Sequence, residues 1–354
     1  MKIALLHGAS INAGDFLILS RTKSLLNHFY PKCSITEYYR NQSLNQYITE
    51  INQHDILIFA GGPGYYAKFY PDLCPLTADL NSIKIPIMFL GMGWFGYDSN
   101  VNTIYNYNLG QDMPVLLQRA IHDTKTLGCR DFVSMNILRN NGIDNSLMTG
   151  CPAWYDLNYV NQTNYKGKSL QDVNKICISD CGNPNNYNLA IELCIFIKKF
   201  FGDKEISFVC HRGFPDSSLG IDKILSAYNI NYTNISNSEK GFEIYNACDL
   251  HIGFRVHAHI YNLSKRKLSI LIEEDGRGYG VNQALGLPSI QAYISTIQNN
   301  KLTHYQNDKI CLEVEDYLMN LSINNYIQMD CAFYLMNRYF ENMKIHINSI
   351  EKYI

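Results

Sequence analysis

The 354-residue sequence has no excess of basic charge, since 30 Lys and Arg residues stand against 32 Asp and Glu residues. General nucleic-acid binding needs a basic field that neutralises phosphates, so we expect no nucleic-acid partner. The sequence also lacks an 18-residue apolar run, and the apolar stretch at its start is too short for a signal peptide. We therefore expect a cytoplasmic protein. Peripheral association with the inner face of the membrane stays open.

The cysteines lack the spacing of metal or disulfide frameworks. There are 11 of them, an odd number, and none forms a Cys-x-x-Cys motif. Cys177 and Cys181 lie four positions apart without a second pair, and several others lie in apolar runs. This pattern predicts a reducing compartment with neither disulfides nor a zinc site. We expect no metal and no resident cofactor.

The glycine-rich stretch "AGGPGYY" lacks the marks of a nucleotide loop. It has no Lys-Ser/Thr pair after its glycines, and the G-x-G-x-x-G spacing fails. Its exposed backbone N–H groups can still approach an anion or a sugar closely. Tight-turn glycines without a ligand are the alternative interpretation.

The sequence does contain two runs of alternating strands and helices. Hydrophobic residues make up 46% and charged residues 18% of a chain longer than the roughly 250–300 residues that one core fills. Continuous apolar runs such as "KIALLHG" alternate with helical patterns such as residues 16–30 and 187–201. Such strands are covered on both faces, which predicts doubly wound parallel sheets.

A polar linker near residues 158–174 separates the two halves. We predict an N-terminal Rossmann-like domain at 1–157, a second at 158–310, and C-terminal helices at 311–354 that pack back on the first domain. Each domain is expected to bind ligands outside the carboxyl ends of its strands.

Charged side chains follow the strands of the second half, where ligands of open parallel sheets bind. Arg255 lies at a helix N-terminus and His257 in the first helical turn, a position that favours anions. Two guanidiniums suit carboxylate or phosphate, and an imidazole suits proton transfer. A structural salt-bridge network is the alternative. The candidate donor contacts are His211, Arg212, Arg255, Val256, His257, Glu274 and Arg277, the last two in a predicted glycine-rich loop.

The first half offers candidate acceptor contacts at its strand ends. Asp15 is placed either to cap a helix or to bind a ligand. An aromatic residue such as Trp94 suits a sugar ring as well as a core. The candidate acceptor contacts are Asn12, Gly62, Gly64, Tyr65, Trp94 and Arg130.

Several motifs, taken in order, resemble the polysaccharide pyruvyl transferase family. The similarity runs through residues 1–290, and each motif alone is loose. The strongest is "RVHAHI" at 255–260, which is similar to the family's Arg-x-His helix start. The others are "NAGD" at 12–15, "GGPG" at 61–64, Arg130 with Ser134, Leu138 and Gly142, and "TGCPA" at 149–153.

The resemblance implies a GT-B-like pair of Rossmann domains. It implies transfer of pyruvate from phosphoenolpyruvate to two hydroxyls of a sugar, as a cyclic ketal, in bacterial exopolysaccharide or cell-wall synthesis. Arg255 and His257 match the family's donor-binding Arg and His. Ketal formation needs an acid and a base, for which we choose His257 and Asp15. The acceptor is then a glycan or a lipid-linked sugar.

Two positions depart from the family's pattern. Ser179, Asp180 and Cys181 occupy the place where the family usually has an Arg, and Cys151 replaces the usual Asp before "PA". Arg212 or Arg277 could replace the missing cation. The alternative is a GT-B glycosyltransferase whose nucleotide-sugar diphosphate is held by Arg255, Arg212 and Arg277. A third interpretation is an inactive sugar-binding member. The sequence does not decide whether the protein forms a homo-oligomer.

Overall fold

A computed structural model describes residues 1–96, 99–298 and 301–353. The chain divides into two compact units, each made of separate segments. Unit 1 contains Met1–Ser10, Asp15–Val160 and Met336–Ile354, and unit 2 contains Ile11–Gly14 and Asn161–Leu335.

Parallel strands form the centre of unit 1. One sheet has the order β2-β1-β3-β5 and a second has the order β4-β6-β7-β8. The first strands are buried on both faces, with Ile3, Leu5 and Ile58 fully inaccessible, as continuous apolar runs require. The strands are β1 (Lys2–His7), β2 (Ser34–Tyr39), β3 (Ile56–Phe59), β4 (Gly62–Pro63), β5 (Ile87–Phe89), β6 (Met92–Gly93), β7 (Leu127–Cys129) and β8 (Ser146–Met148). The helices between them are α1 (Ala13–Phe29), α2 (Ile48–Ile51), α3 (Val101–Tyr105), α4 (Asp112–Thr124) and α5 (Phe132–Asn140).

Unit 2 contains a six-stranded parallel sheet of order β11-β10-β9-β12-β13-β14. Numbered within this sheet, the order is 3-2-1-4-5-6, the doubly wound Rossmann arrangement. The strands are β9 (Lys175–Ser179), β10 (Glu205–Cys210), β11 (Asn231–Asn234), β12 (Leu250–Gly253), β13 (Leu268–Glu273) and β14 (Ile290–Gln291). The helices are α6 (Tyr187–Phe201), α7 (Ile221–Ala227), α8 (Val256–Ser264), α9 (Gly276–Leu285) and α10 (Ile310–Ile323). The fold class predicted from the sequence is confirmed.

The elements that follow β14 do not continue the parallel sheet. An antiparallel hairpin of β15 (Tyr293–Gln298) and β16 (Lys301–Gln306) follows β14. The sequence did not predict this hairpin. The long helix α11 (Ile327–Asn348) follows α10, and its C-terminal part lies in unit 1. There, His346 Nε2 lies 2.9 Å from the carbonyl oxygen of Phe89, and Asn342 donates to the carbonyl of Met148.

One predicted local structure differs from that observed. The glycine-rich stretch after β13 is helix α9 and not a loop. Asp275 caps it, since its side chain accepts from the N–H of Arg277. A Cβ on Gly278 would lie 3.2 Å from Cα of Glu273, so this glycine serves close packing onto β13. Between β11 and β12, residues Lys240–Asn246 form a 3₁₀ helix.

Three general features bear on chemistry. Within the described ranges, no helix is long and apolar enough to cross a membrane. The same ranges contain no group of three or more His, Cys, Asp or Glu side chains arranged to hold a metal ion. All 11 cysteines are free thiols.

Candidate active site

A polar pocket lies in unit 2 at the carboxyl end of its sheet. Strands β9 and β12 are neighbours there, with Ser179 opposite Gly253. The strand order reverses between them, so the crevice beyond their ends is the ligand position of a doubly wound fold. The pocket is lined by Asn12, Gly182, His211, Phe254, Arg255, Val256, His257, Glu274, Asp275 and Arg277.

Arg255 is held by Asp180, the residue that follows β9. Its Nε and Nη2 atoms donate to the two carboxylate oxygens of Asp180, each at 2.6 Å, and Nη2 also donates to the carbonyl of Cys181 at 2.8 Å. Asp180 is fully buried, and burial raises the pKa of its carboxyl while the charge of Arg255 opposes that rise. The pair is a bidentate, charge-assisted contact that fixes the plane of the guanidinium.

A buried chain of hydroxyls and imidazoles supports the backbone of Arg255. Its N–H donates to Ser179 Oγ, which lies 3.0 Å from His251 Nε2. Ser269 Oγ then lies 2.8 Å from both His251 Nδ1 and His259 Nδ1. Burial lowers the pKa of both histidines, that of His259 to about 3, so both rings are neutral at pH 7. This chain fixes the end of β12, where the helix α8 begins.

Glu274 binds the turn between β9 and α6. Its carboxylate accepts from the N–H of Asn183 at 3.1 Å, from Asn186 Nδ2 at 2.7 Å and from the N–H of Gly182. Burial raises the pKa of Glu274, and these donors oppose the rise. The predicted donor contact Glu274 therefore already has partners that shape the pocket wall.

Arg277 lies in the first turn of α9 and pairs with its own cap. Its Nε lies 3.0 Å from both oxygens of Asp275, and its Nη2 donates to Asp275 Oδ2 at 2.6 Å. The Arg277 side chain remains 34% exposed. Around the pocket, the positive charges of Arg255 and Arg277 are thus balanced by the carboxylates of Asp180, Glu274 and Asp275. The salt-bridge network that the sequence left open is present.

His257 is half-buried in the first turn of α8 and packs against Gly14. A Cβ on Gly14 would overlap Nδ1 and Cγ of the His257 ring. Gly14 lies in the first turn of α1 without a positive φ, so its conformation does not require a glycine. Its role is therefore to leave room for the imidazole. This role could not be predicted from the sequence because the two residues are far apart in the chain.

His211 and Arg212 occupy different environments. His211 is fully buried, with Nε2 2.8 Å from the hydroxyl of Tyr245 and no hydrogen bond to Nδ1 in the described part of the chain. Burial lowers the pKa of His211 well below its usual value, so it lines the pocket as a neutral ring. Arg212 is exposed and lies outside the pocket lining.

The predicted acceptor contacts are not gathered around this pocket, apart from Asn12. Tyr65 is fully buried and its hydroxyl donates to the carbonyl of Gly128. Trp94 is 1% exposed, and its carbonyl accepts from Arg130 Nη2 at 2.9 Å. Arg130 is also buried and pairs with Asp131. All three side chains are buried in the core of unit 1, and their contact with an acceptor stays a prediction.

The remaining residues of the first half lie at loop and helix starts in unit 1. Gly62 has φ +81°, a left-handed conformation that favours glycine. A Cβ on Gly64 would overlap the Met92 side chain. Asp15 is half-buried in the first turn of α1, where a carboxylate is favourable. Acceptor contact by Gly62 and Gly64, and the role of Asp15 as a base, stay predictions.

The fold, with its pocket at the strand reversal, is of the GT-B class. S. aureus MnaA with UDP has a TM-score of 0.59 at 12% identity, covering 100% of this chain and 97% of that chain. UDP-GlcNAc 2-epimerase from Neisseria meningitidis bound to UDP-GlcNAc has a TM-score of 0.55 at 12% identity, with 99% and 100% coverage. A glycosyltransferase from Rickettsia africae has a TM-score of 0.53 at 12% identity, with 99% and 97% coverage. At this identity the likeness establishes the fold.

The family follows from the sequence. The family model for polysaccharide pyruvyl transferase matches residues 12–275, and the chain belongs to that family. The resemblance inferred from the motifs is confirmed. No protein of curated function matches the sequence significantly.

Proposed function

We propose that this transferase moves pyruvate from phosphoenolpyruvate to two hydroxyls of one sugar in a cell-surface glycan or its precursor. The observation that carries the proposal is that Arg255 and His257, from the start of α8, line one pocket in a chain of the pyruvyl transferase family. The reaction needs no cofactor besides this donor. A lipid-linked sugar at the cytoplasmic face of the membrane is a suitable acceptor.

The geometry of Arg255 supports a role in holding the donor carboxylate. Asp180 and Cys181 take Nε and Nη2, whereas Nη1 makes no hydrogen bond within the described ranges. Nη1 lies next to Gly182, where a Cβ would be 3.4 Å away, and Gly182 also lines the pocket. The N-terminus of α8 adds partial positive charge at the same edge. Asp180 thus orients one guanidinium edge and leaves the other for an oxyanion.

His257 is our candidate acid for the proposed chemistry. It protonates the methylene carbon of phosphoenolpyruvate, which becomes a methyl group, while the adjacent carbon gains oxocarbenium character. One sugar hydroxyl attacks that carbon and the C–O bond to phosphate breaks. The second hydroxyl then closes the ketal. Of the two hydroxyl protons, one restores the acid and the other leaves on inorganic phosphate. Asp15 is the candidate base that accepts the first.

Glycosyl transfer from a nucleotide sugar is the second candidate function. It is favoured by the Arg255–Asp180 pair, because a neutralised guanidinium attracts a highly charged small anion less strongly. Two neighbours in fold are described with UDP or UDP-GlcNAc bound. Against it, Glu274, a pocket carboxylate suited to a ribose or sugar hydroxyl, already accepts from Gly182, Asn183 and Asn186.

A binding panel separates the two candidates. Thermal unfolding is followed while phosphoenolpyruvate, pyruvate, UDP and UDP-sugars are titrated at constant ionic strength, since a ligand of the folded state raises the unfolding temperature. Pyruvyl transfer predicts a saturable rise with phosphoenolpyruvate and a weaker one with pyruvate. A rise with UDP-sugars alone would reject it in favour of glycosyl transfer. No rise with any compound would favour an inactive member.

A further inference from the structure

Unit 1 contains a buried guanidinium that has no carboxylate partner among the described residues. Arg40 follows β2 directly, and its side chain is 7% exposed. Its one side-chain hydrogen bond in the described part of the chain runs from Nη1 to the carbonyl of Gly61, at 3.1 Å. Nε is buried and makes no hydrogen bond to any described residue. Within the same ranges, no Asp or Glu forms an ion pair with Arg40.

This arrangement needs a physical explanation. An arginine stays protonated in proteins, so Arg40 cannot become neutral when it is buried. Buried charges are normally paired, and an unsatisfied buried N–H usually marks a missing water or ion. The ring of Phe69, 5.7 Å from Cζ, supplies a cation–π contact but accepts no hydrogen bond in the guanidinium plane.

Glycines leave space for the guanidinium at the carboxyl edge of the sheet. A Cβ on Gly8, directly after β1, would lie 2.8 Å from Nε and Nη2 of Arg40. A Cβ on Gly62, the first residue of β4, would lie 3.3 Å from Nη1. Arg40 therefore lies beyond the carboxyl ends of β2, β1 and β3, which is where open parallel sheets bind ligands.

The charged neighbours do not neutralise this group. Glu37 on β2 pairs with Lys23 at 2.6 Å. The His7 side chain, at the end of β1, has a pKa lowered by burial and, in smaller part, by the charge of Arg40. Burial likewise raises the pKa of Cys74, which keeps this thiol neutral beside the cation.

We propose that Arg40 forms an oxyanion site in unit 1, which binds a phosphate ester or a carboxylate through its Nε and Nη2 edge. Both groups match the planar fork of a guanidinium. Such a group on a sugar substrate would anchor it at this edge of the sheet. The site is inferred from contacts within unit 1, so it does not depend on which donor unit 2 binds.

Titration with inorganic phosphate tests the site. Affinity is measured by calorimetry at constant ionic strength for the wild type, Arg40→Gln, Arg40→Lys and the control Arg139→Gln. Arg139 is an exposed arginine of unit 1, with 65% of its side chain accessible. Its substitution by Gln changes the net charge by the same amount as Arg40→Gln. We expect Arg40→Gln to weaken phosphate binding by about tenfold or more, Arg40→Lys to weaken it less, and Arg139→Gln to leave it within about twofold. Parallel titrations with glucose 1-phosphate and glucuronate distinguish a phosphate ester from a carboxylate.

Two further experiments locate the bound phosphate. The titration is repeated in Arg255→Gln, which removes the candidate anion contact of unit 2, and binding that depends on Arg40 should persist there. If Arg40→Gln fails to fold, a crystal of the wild type grown in phosphate answers directly, with the ion expected within hydrogen-bond distance of Arg40. Phosphate binding that is unaffected by Arg40 substitution, or a phosphate-soaked crystal with no ion beside Arg40, overturns the proposal.

Discussion

Arg255 and Asp180 are 75 residues apart in sequence and form a two-bond ion pair at the point where the strand order of unit 2 reverses. Asp180 follows the central strand β9, and Arg255 follows its neighbour β12. The pair explains how one charged side chain can be both rigid and available at a ligand site. Nε and Nη2 of Arg255 donate three hydrogen bonds to the protein, whereas Nη1 lies beside the pocket.

Asp180→Asn should separate the two roles of this pair. The amide keeps the shape of the carboxylate but removes its charge, which leaves the guanidinium as an uncompensated cation. We expect a loss of about 2–4 kcal/mol in the free energy of unfolding, because breaking a buried ion pair leaves one charge desolvated. Affinity for phosphoenolpyruvate should rise at the same time. The measurements are urea unfolding and calorimetric titration; unchanged stability would show that the pair is not formed in solution.

Arg255→Gln should abolish donor-induced stabilisation and also destabilise the fold, because Asp180 then lacks its partner. The double variant Asp180→Asn with Arg255→Gln should recover much of the lost stability without recovering donor binding. Thermal unfolding with and without phosphoenolpyruvate measures both effects. Donor binding that survives in the double variant would contradict the role of Arg255.

Gly14→Ala should act through His257. The added methyl overlaps the imidazole, so the ring must turn away from its present position. We expect turnover to fall by about a hundredfold, similar to the effect of losing a general acid, with a stability loss of about 1–3 kcal/mol.

The control for this prediction is the same change in a His257→Ala background. The clash is then absent, and Gly14→Ala should have little further effect on activity or stability. Equal effects of Gly14→Ala in both backgrounds would show that the glycine acts independently of His257.

Glu273 should make unit 2 less stable as pH rises. It is fully buried at the end of β13, and burial raises its pKa to about 7, against hydrogen bonds from Ser289, Asn282 and Gln291. The folded protein therefore holds a proton more tightly than the unfolded chain between the usual carboxyl pKa of 4.5 and about 7. Its contribution to stability is then lost as pH rises through that window, by roughly 2–4 kcal/mol in total.

Glu273→Gln tests this pH dependence. The amide can accept from Asn282 and donate to Ser289, so the hydrogen bonds are kept while the titration is removed. Between pH 5 and pH 7.5, the free energy of unfolding should fall more in the wild type than in the variant. An identical pH dependence in both proteins would show that Glu273 titrates normally.

The sequence predicted the local features of the site and missed its long-range contacts. Continuous apolar strands and helical periodicity placed Arg255 and His257 together at the start of α8, because both are local signals. The partner Asp180 depends on β9 and β12 being neighbours, which crossover topology decides and local pattern does not. For the same reason the contact between Gly14 and His257 was not predicted.

Composition alone also could not decide which aromatic residues are buried. Tyr65 and Trp94 follow strand-like runs, where a ring can pack into the core or bind a sugar, and only the tertiary structure shows that both are inaccessible. The three glycines of "DGRGYG" favour a loop by propensity, but the Asp275 cap and packing against β13 stabilise helix α9.

Solvent isotope incorporation tests the central claim most directly. The protein is incubated in D₂O with phosphoenolpyruvate and a panel of sugar acceptors, and the products are examined by mass spectrometry and phosphate release. Pyruvyl transfer through a protonated methylene predicts a ketal whose new methyl group carries one solvent deuterium, formed with one phosphate and lost in His257→Ala. A product that instead gains a glycosyl unit from a nucleotide sugar, with phosphoenolpyruvate left intact, would contradict it.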